Sequence, residues 1–302
     1  MTPRQKRIYK DPVMAGRWAF KHRRRFPEAE PYIATHLTQA YQYAKDVVKG
    51  RWPRGEAAIA KDPKTAYEYA RDVIRGRFPE AEAAIATSSY WAYHYARDVI
   101  GGRWPEGEAT IATHPIMAYR YADDVIGGRW PEAEAAISTD TSAAHRYAKD
   151  VLGGRWPEGE AAIATHPNEA YEYARDVLKG RFPGGEAAIA TDLWSAYRYA
   201  RDIRGRFPEA EAAIAKDPNE AYLYARDVIG GRWPEAEAAI ATSDTNAYEY
   251  AKNVIGGRWP EAEKHIATNP ATNPYMSKLY LKQFPEAKLE WAMNGWLDWL
   301  DL

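Results

Sequence analysis

Three charged columns recur along this 302-residue chain and are the first place to look for chemistry. An arginine stands before an aromatic residue and a proline at Arg51, Arg77, Arg103, Arg129, Arg155, Arg181, Arg206, Arg232 and Arg258. A glutamate follows on the same segment, at Glu56, Glu82, Glu108 and onward, and an aspartate precedes it, at Asp46, Asp72, Asp98 and onward. Carboxylates in such numbers could serve as acid and base. A catalytic centre, however, is needed once, whereas these residues return in every unit. The reading that uses all copies is a structural ladder, in which each guanidinium grips a carboxylate through two parallel hydrogen bonds. The expected partner of Arg77 is Glu82 or an aspartate of the Asp72 column. The same holds for Arg103, with Glu108 or Asp98.

The histidines do not add a metal site. His114 and His166 share a column but stand two units apart, roughly 20 Å at ordinary helix-packing distances, whereas zinc ligands sit about 2 Å from the ion. His22, His94, His145 and His265 fall in different columns. The chain has no cysteine, which excludes disulfides, thiolate zinc sites, iron–sulfur clusters and cysteine nucleophiles. No HExxH, GxSxG or P-loop pattern occurs. The expectation is a protein without metal, cofactor or catalytic residue.

The elements that carry these columns come from a repeat. Prolines of the Arg-Trp/Phe-Pro motif stand at Pro27, Pro53, Pro79, Pro105, Pro131, Pro157, Pro183, Pro208, Pro234, Pro260 and Pro285, nearly always 26 residues apart. A clean unit reads DPKTAYEYARDVIRGRFPEAEAAIAT, from Asp62 to Thr87. A first helix is expected after a cap column of Asp62, Ser88, Asp140, Asp192, Asp217, Ser243 and Asn269, often with proline next, as at Pro63 and Pro270. His36, His114 and His166 take the cap place elsewhere. A glycine column, Gly50, Gly76, Gly102, Gly128 and Gly154, is expected to end that helix in left-handed backbone. A short second helix opens on the motif proline.

On the first helix Ala66, Ala70 and Val73 form an apolar stripe, with Tyr67 and Tyr69 at its flanks. On the second, Ala81, Ala84 and Ile85 face inward, and the Ala81 column admits only alanine or glycine. No unit could bury its face alone, so neighbours must stack. The expected fold is all-α: a single α-solenoid domain over residues 1–302, built from about eleven 26-residue helix–turn–helix repeats. Residues 1–36 would form a basic cap and first repeat, 37–268 the regular repeats, and 269–302 a degenerate last repeat with a Trp-rich cap. The pattern does not set the handedness.

With this vocabulary the chain is similar to tetratricopeptide and Sel1-like solenoids, although its period is shorter than theirs. The string AYxYARDVIxGRWPEAEAAIA looks more like tandem repeats of tailed-phage and bacterial proteins. That resemblance, over residues 15 to about 288, implies a solenoid and a phage origin, and it carries over no catalytic residue.

Function should then lie where the copies diverge. One divergent column is the residue between the two tyrosines, including Arg17, Gln42, Glu68, His94, Arg120, Arg146, Arg198 and Leu223, expected to point outward. The other is the first turn of the first helix, polar in most units but apolar at Tyr90 and Trp91, Ile116 and Met117, and Leu193 and Trp194. The first two pairs belong to adjacent units and are expected to form one exposed partner-binding patch, unless they fold over a neighbouring unit. The alternative is nucleic-acid binding through Arg and Tyr columns and the basic start: Arg4, Lys6, Arg7, Lys10, Arg17, Lys21, Arg23, Arg24 and Arg25. Against it stands a net charge of only −1, which leaves no global field toward phosphate. A third reading is a self-assembling rod joined head to tail. The leading expectation is a protein-binding scaffold engaging a protein partner. No 18-residue apolar run occurs, so no membrane partner is expected, and the expected location is the cytoplasm, that of a host if the gene is phage-borne.

Overall fold

The computed structural model describes residues 9–267 and 274–297. The chain divides into two compact units, residues 1–162 and 163–302. Among the described residues there is no strand. In each unit the same helical hairpin is stacked on copies of itself, so the fold is an all-α solenoid of about eleven repeats.

Local chemistry starts each first helix. The Asp62 carboxylate accepts from Thr65 N–H at 2.8 Å, and Pro63 occupies the first helical position, where no N–H is needed. Asp140, Asp192, Asp217, Ser88 and Ser243 cap in the same way. His36 Nδ1 accepts weakly from Gln39 N–H, whereas His114 and His166 hold the cap place without a side-chain cap bond. Asn269 and Pro270 lie outside the described residues.

The helix ends differently from the expectation. After Tyr69 the α-helix Pro63–Tyr69 widens into a π-helical turn, Ala70–Ile74, and this recurs in each regular repeat. The Ala96 carbonyl accepts from both Gly101 N–H at 2.8 Å and Gly102 N–H at 3.2 Å. The wide turn moves the left-handed residue one place upstream of the expected glycine column. It is Gly101, Gly127, Gly153, Gly230 or Gly256, and in other repeats Lys49, Arg75 or Lys179; Arg23 takes the same place directly after the α-helix Pro12–His22, without a π-helical turn. Gly50, Gly76, Gly102, Gly128 and Gly154 are not left-handed, and a Cβ added to any of them meets nothing within 4 Å. Nothing in the structure explains their recurrence.

The 25-residue unit has a single glycine in place of the usual pair. Gly205 holds φ 78° and ψ −146°, a region open essentially to glycine alone. Gly205→Ala is expected to lower stability by about 1–3 kcal/mol. Gly76→Ala should stay within about 0.5 kcal/mol. Denaturant melts of the two variants check the contrast, and equal losses would refute it.

The core corrects a second expectation. Ala66, Ala70, Ala81 and Ile85 are fully buried, but so are the tyrosines: Tyr67 is 3% exposed and Tyr69 0%, whereas Val73, Ile74 and Ala84 are only half-buried. The rings lie across the hairpin, Tyr69 against Phe78 at 5.3 Å and Tyr95 against Trp104 at 5.0 Å between centroids. Tyrosine can go so deep because its hydroxyl finds partners there. The alanine-or-glycine column faces the motif aromatic. A Cβ added at Gly107 would stand 2.4 Å from the Trp104 ring, and one at Gly55 would stand 3.1 Å from the Ala40 methyl. At these glycines even a methyl must displace the ring or the facing helix, so the column has no room for a side chain larger than alanine.

Candidate functional site

The charged columns resolve into two separate ladders. In the first, Arg77 donates two parallel bonds to Glu82, at 2.8 and 2.7 Å. Glu82 Oε1 also accepts from the Tyr95 hydroxyl of the next repeat at 2.8 Å, and that hydroxyl accepts from Phe78 N–H at 2.7 Å. Arg103, Glu108, Tyr121 and Trp104 N–H repeat the pattern. In the second unit, so do Arg206, Glu211, Tyr224 and Phe207 N–H. Each tyrosine thus ties a buried backbone N–H, which otherwise would lack a partner, to a charged pair.

The second ladder uses the other tyrosine. Tyr67 donates to Asp98 of the next repeat at 2.6 Å and accepts from Arg71 at 2.9 Å. Asp98 in turn accepts two bonds from its neighbour Arg97. Asp72 is held alike by Arg71, by Lys45 at 2.8 Å and by Tyr41 at 3.0 Å. The Asp72 column therefore pairs with the adjacent basic residue and not with Arg77.

Titration follows from these contacts. Arg77 beside Glu82 holds that carboxyl below its usual range, and Arg71 does the same to Asp72. Burial, foremost, pushes the hydroxyls of Tyr43, Tyr147, Tyr199 and Tyr250 up to about 12. Carboxylates bound to arginine as firmly as these are poor proton shuttles near neutral pH. Among the described residues no group of three or more histidine, aspartate or glutamate side chains could hold a metal ion.

The divergent residues are only partly where expected. Tyr90 is 45% exposed and Ile116 37%, at the first turns of first helices that pack side by side. Their companions turn inward. Met117 is 7% exposed, and Trp91 lies half-buried against Tyr67 of the preceding repeat, 5.5 Å between centroids. The expected four-residue patch is thus two residues, because a side chain one step further along the helix points at the neighbouring repeat. In the second unit Trp194 is 48% exposed and Leu193 half-buried, and the Arg198 guanidinium sits 4.5 Å over the Tyr171 ring.

The column between the tyrosines does not point uniformly outward. Arg17, Arg120 and Arg146 are exposed, but Gln42, Glu68, His94, Arg198 and Leu223 are half-buried. His94 is packed among Tyr90, Tyr93 and Tyr67, and burial lowers its pKa.

The basic start also divides. Arg4, Lys6 and Arg7 lie outside the described residues. Lys10, Arg17, Lys21, Arg23 and Arg24 are exposed. Arg25 is a ladder rung, bonded to Glu30 at 2.8 Å, and so is not open to phosphate. At the other end Trp291 is fully buried, stacks on Tyr280 and donates to Glu263 at 2.9 Å. It covers the last rung. Trp299 and Leu300 lie outside the described residues.

Fold and site together define an α-solenoid whose recurring arginine, carboxylate and tyrosine side chains bind one another and whose first turns expose Tyr90, Ile116 and Trp194. No protein-family model, no curated protein and no solved structure matches the chain. Among the described residues no helix is long and apolar enough to cross a membrane.

Proposed function

We propose that this chain is a non-enzymatic protein-binding scaffold that meets its partner through the first-turn residues Tyr90 and Ile116. The observation behind this reading is the contrast between columns. Arg77, Glu82, Asp72 and their counterparts are engaged within the stack, whereas Tyr90 and Ile116 stand exposed on consecutive repeats. Packed helices lie about 10 Å apart, so the two side chains are near enough to serve one contact. Tyrosine is among the residue types that dominate interface hot spots, and an exposed aliphatic side chain beside it extends the apolar contact. The likeness of the repeat to tandem repeats of tailed-phage proteins makes a host-cell protein the partner to try first.

The test is capture from a nuclease-treated bacterial lysate by the full chain and by Tyr90→Ser/Ile116→Ser. The double variant should lose a stoichiometric partner by about tenfold or more with helicity unchanged, since neither side chain belongs to the core. Undiminished capture would sink the assignment. Trp91 and Met117 are unsuitable for this purpose, because replacing them would disturb packing as well.

A further inference from the structure

The first three repeats share a feature that the glycine-closed repeats lack. At the left-handed residue closing the first helix they carry Arg23, Lys49 and Arg75, with φ of 47°, 58° and 58°. Gly101, Gly127, Gly153, Gly230 and Gly256 take that place later, and Lys179 is a solitary cation in the second unit. Left-handed backbone disfavours any residue with a Cβ, and glycine is its natural occupant. Three long cationic side chains in succession at that place are therefore not explained by the backbone.

All three line one cleft of about 890 Å³, together with Lys45, Asp46 and Asp72. Lys45 and Asp72 neutralise each other at 2.8 Å. Asp72 also binds Arg71 at 2.6 Å. Arg51, Arg71 and Arg77 nearby are all committed to carboxylates. Among the described residues Arg23, Lys49 and Arg75 make no ion pair, and all three are exposed. The remaining acid is Asp46. The corresponding aspartates Asp72 and Asp98 each take a tyrosine hydroxyl from the preceding repeat, but the helix Pro12–His22 offers none. Three uncommitted cations thus face one carboxylate.

We propose that this cleft binds a compact chain of phosphates, either free or carried on a nucleotide. Two guanidinium forks and an ammonium suit the dense oxyanion surface of such a chain. The volume falls in the range of small-molecule sites. Phe20 is the one aromatic side chain of its lining, so the cleft offers no platform on which successive bases of a single strand could stack. This site is independent of the Tyr90–Ile116 contact and would survive the failure of that reading.

The test is titration calorimetry of the full chain with tripolyphosphate, with ATP and with single-stranded oligonucleotides of increasing length, at low and raised salt. The expected result is binding of tripolyphosphate or ATP that weakens with salt. Arg23→Gly/Lys49→Gly/Arg75→Gly should lose at least about tenfold in affinity yet melt close to the parent, because glycine is what most other repeats place there. Arg23→Gln/Lys49→Gln/Arg75→Gln keeps the backbone demand and removes only the charge, so it should lose binding as well. Lys179→Gly should bind as the parent does. Tighter binding of ATP identifies the nucleotide as the source, and tighter binding of tripolyphosphate identifies the free chain. Absence of binding, unchanged binding by both triple variants, or an affinity that grows with oligonucleotide length and exceeds that for either small anion would overturn the proposal.

Discussion

Raising the pH from about 10 to about 12 is expected to unfold the stack cooperatively. The folded hydroxyls of Tyr43, Tyr147, Tyr199 and Tyr250 titrate at about 12, against about 10 in an unfolded chain. A pKa raised by folding means that the fold favours the protonated form. Its contribution is therefore complete below pH 10 and disappears as the pH climbs through the folded value. One unit of pKa corresponds to about 1.4 kcal/mol, so each such tyrosine loses up to roughly 2–3 kcal/mol. Several rungs together rival the whole stability of an ordinary domain, about 5–15 kcal/mol. Burial is the main cause, and the rung adds to it: a tyrosinate at Tyr147 would sit beside Glu134 at 2.9 Å, without the proton that joins them. Far-UV dichroism and tyrosinate absorbance, followed together, check this. Ionisation centred near pH 10 with helicity retained would refute it. On the acid side the sign reverses. Glu82 and Asp72 have lowered values, so their contribution is present above about pH 4 and fades as the pH falls further. That loss should be the gentler one, because the paired arginines are half-exposed and screened by solvent.

Trp104→Ala should cost about 3–5 kcal/mol, while Trp104→Phe should stay within about 1 kcal/mol. Trp104 is 1% exposed, lies against Tyr95, and fills the space over Gly107 so closely that a Cβ there would meet its ring. Truncation would leave a cavity that the short second helix cannot collapse into without breaking its Arg103–Glu108 rung. Phenylalanine, by contrast, already stands in this column at Phe78, Phe182 and Phe207. Among the described residues Trp104 Nε1 has no hydrogen-bond partner. Phenylalanine would therefore remove an unsatisfied buried donor along with some volume, and the two effects oppose each other. Chemical denaturation of the two variants gives the answer. A phenylalanine variant as unstable as the alanine variant would show that the indole is held by something beyond shape.

Much of this molecule was legible in one dimension. The repeat, the caps at Asp62 and Asp192, the proline starts and the alanine-or-glycine column all follow from short-range spacing, which also offered Glu82 as one of two partners for Arg77. Such features involve residues within one or two helical turns, where backbone geometry dictates which side chains can meet. Tertiary structure decided what depends on the direction of a side chain toward a neighbouring repeat. It set Tyr67 against Asp98 and Tyr95 against Glu82, buried both tyrosine columns, and turned Trp91 and Met117 inward while leaving Tyr90 and Ile116 out. It placed the left-handed residue one position early, because the first helix ends in a π-helical turn that no local signal announced. It also brought Arg23, Lys49 and Arg75 to one cleft, since residues one repeat apart become neighbours only once the hairpins stack.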